Sequence, residues 1–257
     1  MARILYKAAK IIEVGGKRKV AHKVKKHYIL DTSRDFHCDD GIITKGDLGK
    51  KSGSLVKTNK GVEFVVFDAQ FNDDYDKISR APQIIPRKDV GLIIAECGLN
   101  KDSVVLDAGS GSGGLCCFLA KICKEVVSYD IKDEHLEVVK KNKDKLGLKN
   151  LTVKKGDITE PISEKDFDCV VLDMGNPWDA VPTVDAALKV GGYLVSYSPT
   201  VPQVMDFVSD VGYNENFVLL KVSQVMESEW EVRGRKVRPK SGSIIHSGFL
   251  VFVRKIS

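Results

Sequence analysis

The sequence lacks any uninterrupted apolar run near the roughly 18 residues that a membrane-spanning helix needs, which argues against a transmembrane span. Its opening residues, Met1-Ala-Arg-Ile-Leu-Tyr, lack the apolar core of a secretory signal, so the expected location is the cytoplasm. Cysteine is sparse and poorly spaced for chemistry. Cys38, Cys97, Cys116, Cys117, Cys123 and Cys169 form no C-x-x-C pair and share no histidine spacing that would hold a metal. No metal site is expected, and the thiols read as small buried hydrophobes. Internal repeats and low-complexity tracts are missing too, which excludes solenoid architectures.

What is there is an ordinary globular composition, 43% hydrophobic and 29% charged over 257 residues, with room for one large domain or two unequal ones. The net charge of +5 is unevenly spread. Residues 1–60 hold 15 Lys or Arg against 6 Asp or Glu, whereas the other 197 residues hold 25 against 29. Lys17, Arg18, Lys19, Lys23, Lys25 and Lys26 concentrate the excess. Such a patch attracts phosphate backbones by releasing counterions, or simply faces solvent. Glycines cut residues 1–75 into short apolar pieces such as Gly61-Val-Glu-Phe-Val-Val-Phe, which predicts a small antiparallel β unit. The acidic run Asn72-Asp-Asp-Tyr-Asp-Lys reads as a linker. A small basic β domain over 1–77 and a larger domain over 78–257 follow.

In the larger domain strands and helices alternate. Helices are expected over 87–99, 115–123, 132–146, 178–190 and 203–211, and strands over 103–107, 125–130, 151–155, 168–173, 192–197, 217–225 and 244–253. That order predicts an α/β fold with a mostly parallel, seven-stranded sheet covered by helices on both faces. A closing pair of strands, one of them antiparallel, is what Rossmann-like methyltransferases add to the doubly wound sheet.

The chain is organised around Ser103-Val-Val-Leu-Asp-Ala-Gly-Ser-Gly-Ser-Gly-Gly114, where a buried-strand pattern meets a glycine-dense turn and an apolar helix. Gly109, Gly111 and Gly114 also satisfy the G-x-G-x-x-G spacing of dinucleotide-binding folds. Asp107 shifts the balance. An acid at the strand end meets a cationic ligand such as S-adenosyl-L-methionine and repels a pyrophosphate, which favours a bare helix N-terminus. A nicotinamide cofactor stays as the minor reading. Further acids close the later strands. Asp130 lies 23 residues after Asp107, where it can accept ribose hydroxyls. Asp157 can accept from an adenine amino group, and Asp173 is placed to face the transferred methyl. Asp173 opens Asp-Met-Gly-Asn-Pro-Trp, in which Trp178 can stack on a base or pack in the core.

Residues from about 80 to 257 resemble the tRNA adenine-N1 methyltransferase family of the TrmI type. The resemblance rests on Arg80-Ala-Pro-Gln-Ile, Lys88-Asp89, Ala108-Gly-Ser-Gly-Ser-Gly-Gly-Leu115, and Ser128-Tyr-Asp130 with His135-Leu136. It continues in Leu172-Asp173 with Pro177-Trp178, Trp230-Glu-Val-Arg233, Arg238-Pro239, and His246-Ser-Gly-Phe-Leu-Val-Phe-Val-Arg254. It implies S-adenosyl-L-methionine as cofactor, tRNA as partner, methylation at N1 of T-loop adenosines at tRNA positions 57 and 58, and a homotetramer. Asp173 would be the catalytic carboxylate. Gln83, Asp107, Gly109, Ser110, Gly111, Ser112, Gly113, Gly114, Leu115, Asp130, Ile131, His135, Asp157, Ile158 and Asp173 would contact the donor. Pro86, Arg87, Asn176, Trp178, Trp230, Arg233, Arg238 and His246 would contact the substrate. Two positions depart from the family pattern. Ile85-Pro86-Arg87-Lys88 stands where an aromatic or His usually precedes Pro-Lys-Asp, and Asn176 stands where an acid usually precedes Pro-Trp. A corrin-precursor methyltransferase and an RNA-binding protein that keeps the donor fold without catalysis remain the alternatives.

Overall fold

Seven segments rich in Val and Leu pair into one sheet. They are β1 (Val104–Ala108), β2 (Glu125–Asp130), β3 (Leu151–Lys155), β4 (Phe167–Leu172), β5 (Leu188–Ser198), β6 (Phe217–Ser223) and β7 (Phe249–Lys255). The structure is a computed structural model and describes residues 1–257 apart from 23, 81–83, 234 and 243–245. The chain divides into two compact units, Met1–Ile78 and Ser79–Ser257.

In the second unit the sheet order is β3-β2-β1-β4-β5-β7-β6. The first five strands pair in parallel, and β7 runs antiparallel between β5 and β6. Alternation along each strand divides the core in two. Val105, Cys169, Val195 and Phe252 pack on one face, and Leu106, Val170, Leu194 and Val253 on the other. Helices α1 (Arg87–Glu96), α2 (Gly114–Ala120) and α3 (Asp133–Leu146) bury Val90, Ile93, Leu115 and Val139 on the first face. Helices α4 (Val181–Ala187) and α5 (Val201–Gly212) bury Val184, Phe207 and Val211 on the second. This is the α/β architecture expected from the strand-helix alternation.

Several boundaries differ from expectation. The helix expected over 178–190 is a 3-10 turn, Pro177–Ala180, followed by α4, which stops at Ala187. Leu188 is already extended and pairs with Phe167, and a register shift there, with Gly191 at φ +81, lets β5 start early. The last strand starts at Phe249 rather than at 244, and residues 243–245 lie outside the described residues. A hairpin, Trp230–Arg233 with Lys236–Pro239, occupies a stretch where no strand was expected. Cys38 is half-buried and the other thiols are buried and free.

The front unit holds a four-stranded antiparallel sheet of Lys25–Ile29, Arg3–Lys7, Glu63–Asp68 and Ser54–Lys57, in that order. Two hairpins accompany it, Lys10–Val14 with Lys17–His22 and Phe36–Cys38 with Gly41–Ile43. Leu5, Ile29, Ile43, Val56, Phe64 and Val66 form its core. The expected linker is instead a helix, Phe71–Tyr75. Phe71 and Tyr75 are four residues apart and share one face, with rings 5.7 Å apart, and Tyr75 and Ile78 are buried. Asp73 closes a capping box with Gln70, so the acids that suggested a linker support the helix N-terminus. The basic excess is partly neutralised inside the unit. Lys25 is paired with Asp40 at 2.7 Å, and Lys26 with Asp73.

Candidate active site

β1 ends at Ala108, and the turn that follows is fixed by backbone hydrogen bonds to both neighbouring strands. The Gly109 and Ser110 amides donate to the Tyr129 carbonyl at 3.0 and 3.1 Å, and the Asp173 amide donates to the Ala108 carbonyl at 2.8 Å. Gly109 (φ +93) lies so close to β4 that a Cβ there would stand 1.9 Å from the Asp173 carbonyl oxygen. Gly113 takes a left-handed conformation, φ +78, and caps α2. Asn142, buried on α3, donates to the Ser112 carbonyl at 2.8 Å and holds the loop from behind.

This turn brings the strand-end acids to one edge of the sheet. Asp130 accepts from the Gly111 amide at 3.0 Å and contacts His135 Nδ1 at 3.0 Å through Oδ2, and accepts from the Lys132 amide at 2.9 Å through Oδ1. Asp157 follows β3 and takes the Thr159 amide and hydroxyl on Oδ1 at 2.9 and 2.8 Å, which holds its carboxyl below the usual range. Asp107 is fully buried beneath the loop. Its Oδ2 accepts from Ser128 at 2.6 Å, while its Oδ1 has no partner among the described residues. The Asp173 side chain follows β4 and makes no hydrogen bond or ion pair with any described residue.

A cavity of about 430 Å³ opens at this edge, within the usual range for small-molecule sites. Gly109, Asp130, Ile131, Asp157, Ile158 and Asn176 are among its lining residues. A narrower crevice, sharing Gly109 with it, is lined by Ser110, Gly111, Ser112, Gly114, Leu115 and Asp173 together with Ile84 and Ile85. The structure thus gathers most of the donor-contact candidates. Asp107, Gly113 and His135 line neither space: Asp107 lies under the loop, Gly113 sits within it facing Val139, and His135 contacts Asp130. Gln83 lies outside the described residues.

The substrate candidates are more dispersed. Pro86 caps α1 and Arg87 is exposed at its first residue. Trp178 is partly buried against the core of the second face. Trp230 is exposed on the hairpin, where Arg238 pairs with Glu231 at 3.0 Å; the Arg233 side chain lies outside the described ones. His246 contacts the Pro199 carbonyl at 3.0 Å and the Gln224 amide at 2.9 Å. Sequence reasoning missed Met174 and Asp179 in the cavity, although both lie in or beside the segment opened by Asp173, and it missed Ile84 in the crevice wall, whereas Ile85 opens the segment that departs from the family pattern.

Electrostatically the site is an acid cluster short of cations. Burial pushes the Asp107 carboxyl up to about 6 against the hydrogen bonds from Ser128 and Cys116. Burial, then the charge of Asp107, pushes Asp173 up to about 7 from 3.8. A cationic nucleoside fits this arrangement, because it supplies the positive charge that Asp107 and Asp173 lack among the described residues. A folded carboxyl with a raised pKa loses stability as pH climbs from its unfolded to its folded value. Removing the charge with Asp173→Asn should therefore raise the melting temperature of the ligand-free protein relative to wild type, by a margin that widens between about pH 4 and about pH 7 and then levels off. Thermal melts across that range check this, and a constant margin would detach Asp173 from the titration.

A family model described as the tRNA methyltransferase complex GCD14 subunit matches residues 77–254. The chain belongs to the GCD14 family of tRNA methyltransferases. A relative of this GCD14-family chain is the tRNA (adenine(57)-N(1)/adenine(58)-N(1))-methyltransferase TrmI of Methanocaldococcus jannaschii. It is 30% identical over 265 residues, which cover 91% of this chain and 93% of that one. Among solved structures, an S-adenosylmethionine-dependent O-methyltransferase from Thermotoga maritima is similar at TM-score 0.81 and 24% identity, covering 99% of this chain and 93% of that one. The tRNA (m1A58) methyltransferase TrmI of Aquifex aeolicus is similar at TM-score 0.77 and 23% identity, covering 99% and 97%. These two likenesses concern the fold.

Proposed function

We propose that this GCD14-family chain is a methyltransferase that moves the methyl group of S-adenosyl-L-methionine to N1 of adenosine at positions 57 and 58 in the T-loop of tRNA. The observation that carries this reading is Asp173, a carboxylate with no hydrogen-bond or ion-pair partner among the described residues, in the crevice above the glycine loop, beside a cavity lined by Asp130 and Asp157. When bound, S-adenosyl-L-methionine supplies a methyl carbon already activated by its sulfonium. The protein supplies position and charge. Asp130 accepts from ribose hydroxyls, and Asp157, ionised at neutral pH, accepts from the adenine amino group. Asp173 accepts from the exocyclic amino group of the target base and offsets the positive charge that grows on its ring. The base has to leave the folded T-loop to reach this carboxylate.

A large polyanionic substrate is favoured over a small corrin precursor by the basic front unit, for which a small-molecule enzyme gives no reason. In this reading residues 1–77 contribute to tRNA contact, and the protein works in the cytoplasm as a homotetramer. Val218, Leu219, Leu220 and Val222, exposed along edge strand β6, offer an apolar surface suited to a second copy. Incubating the protein with tRNA transcript and labelled donor, then mapping the modified nucleosides, tests the proposal. N1-methyladenosine at 57 or 58 is expected; label in a corrinoid, or no label at all, would overturn it.

The basic front gives a separate prediction. Because Lys25 and Lys26 are already ion-paired, the test takes the neighbouring basic run Lys17-Arg18-Lys19. Changing these three to alanine should lower tRNA affinity and reduce the slope of log affinity against log salt by about two to three. Filter binding at several salt concentrations reads the slope, and an unchanged value would make this stretch ordinary solvated surface.

A further inference from the structure

Lys88-Asp89, a matched dipeptide with no role assigned above, forms the most deeply buried ion pair among those described, with side chains 5% and 0% exposed. Lys88 Nζ donates to both Asp89 oxygens at 2.8 and 2.9 Å and to Ser247 Oγ at 2.5 Å. Ser247 Oγ in turn donates to Asp89 Oδ2 at 2.7 Å. The circuit closes on itself and joins the first turn of α1 to the segment just before β7. A buried ion pair adds little net stability over apolar residues of the same volume, because desolvation cancels most of its attraction. Its presence is therefore better sought in what it holds in place.

It holds two things beside Asp173. On the α1 side, Ile84 and Ile85 immediately precede the helix and wall the crevice that contains Asp173. On the β7 side, Gly248 follows Ser247 and lies on the ring of Tyr197, where a Cβ would stand 2.6 Å from Cζ. The Tyr197 hydroxyl is buried beside Ser247 without a partner of hydrogen-bonding geometry among the described residues. Burial, with Asp89 and Asp173 adding to it, pushes the Tyr197 hydroxyl up to about 12, so it stays protonated and within the field of both acids.

We propose that Lys88, Asp89 and Ser247 are positioning residues for methyl transfer: their closed circuit fixes the Ile84–Ile85 wall and Tyr197 relative to Asp173, so that the acceptor base meets this carboxylate in one orientation. The inference rests on the functional reading above and names the part of the chain that orients its acceptor. It requires the network for turnover and not for donor binding, since none of the three side chains lines the cavity or the crevice that gather the donor-contact candidates.

The test separates orientation from stability. Asp89→Leu alone strands a buried ammonium and should lower the melting temperature, while the charge-free double variant Lys88→Met with Asp89→Leu should restore it. Under the proposal the double variant binds S-adenosyl-L-methionine like wild type by calorimetry, yet its kcat on tRNA stays about tenfold to a hundredfold low. Ser247→Ala should lower kcat in the same way, with Ser247→Thr, which keeps the hydroxyl, recovering most of it. If kcat returns with the melting temperature in the double variant, the network is structural only and the proposal falls. Wild-type protein that leaves adenosine N1 in tRNA unmethylated would fell the functional reading, and this inference with it.

Discussion

Asp173→Ala is expected to lower the rate of methyl transfer to tRNA by about 10²–10³-fold, the usual loss when a group aimed at developing charge is removed. Donor binding and fold should survive. The Asp173 side chain makes no hydrogen bond or ion pair with a described residue, so its truncation strands no partner, and the backbone bond from its amide to Ala108 at 2.8 Å is untouched. A half-buried carboxyl raised to about 7 by desolvation is a burden on the ligand-free protein. Stability and activity should therefore move in opposite directions in this variant. Single-turnover transfer of labelled methyl, calorimetric donor titration and a thermal melt together read this out. Unchanged turnover would remove Asp173 from the chemistry.

The second large effect is expected at Gly109, where both the backbone and the neighbouring strand forbid a side chain. At φ +93 an L-residue is strained by about 1–2 kcal/mol. The new methyl would also stand 1.9 Å from the Asp173 carbonyl oxygen and 2.8 Å from its carbon, both backbone atoms that cannot swing aside. Gly109→Ala must therefore part the ends of β1 and β4, adding about 1–3 kcal/mol of overpacking and disrupting the edge where the strand-end acids gather. Loss of measurable donor binding is expected, together with a lowered denaturation midpoint. Gly91→Ala, in α1 with nothing within 4 Å of the added Cβ, is the matched control and should stabilise slightly. Equal behaviour of the two variants would show that the loop tolerates what its geometry forbids.

Much of the second unit was legible because its signals are local. Val104, Val105 and Leu106 before a glycine-dense turn fix a buried strand and the loop that leaves it, and the spacing of Asp107, Asp130, Asp157 and Asp173 follows from strand alternation. What escaped was set by distant partners. Ser247 and Asp89 are 158 residues apart, and no local pattern announces their hydrogen bond. The run at 72–77 looked solvated because its acids were counted as charge, whereas Asp73 caps a helix held by Phe71 and Tyr75. Asp107 illustrates the same limit within the site. The sequence places it at the strand end, but only packing shows that the glycine loop covers it and that one of its oxygens is left unsatisfied. Which lysines of the positive front are paired was hidden for a similar reason, since Asp40 and Asp73 meet Lys25 and Lys26 only in the folded unit.

The position of β7 constrains how the polypeptide is made. Residues 249–255 wedge between two strands synthesised earlier, so a nascent chain halted before them leaves β5 and β6 with unsatisfied edges and an open apolar interior. Residues 249–255 must therefore have left the ribosome before the sheet can close. Products that stop before residue 249 should be sticky, protease-sensitive and quickly cleared, which makes synthesis through β7 a condition for closing the sheet.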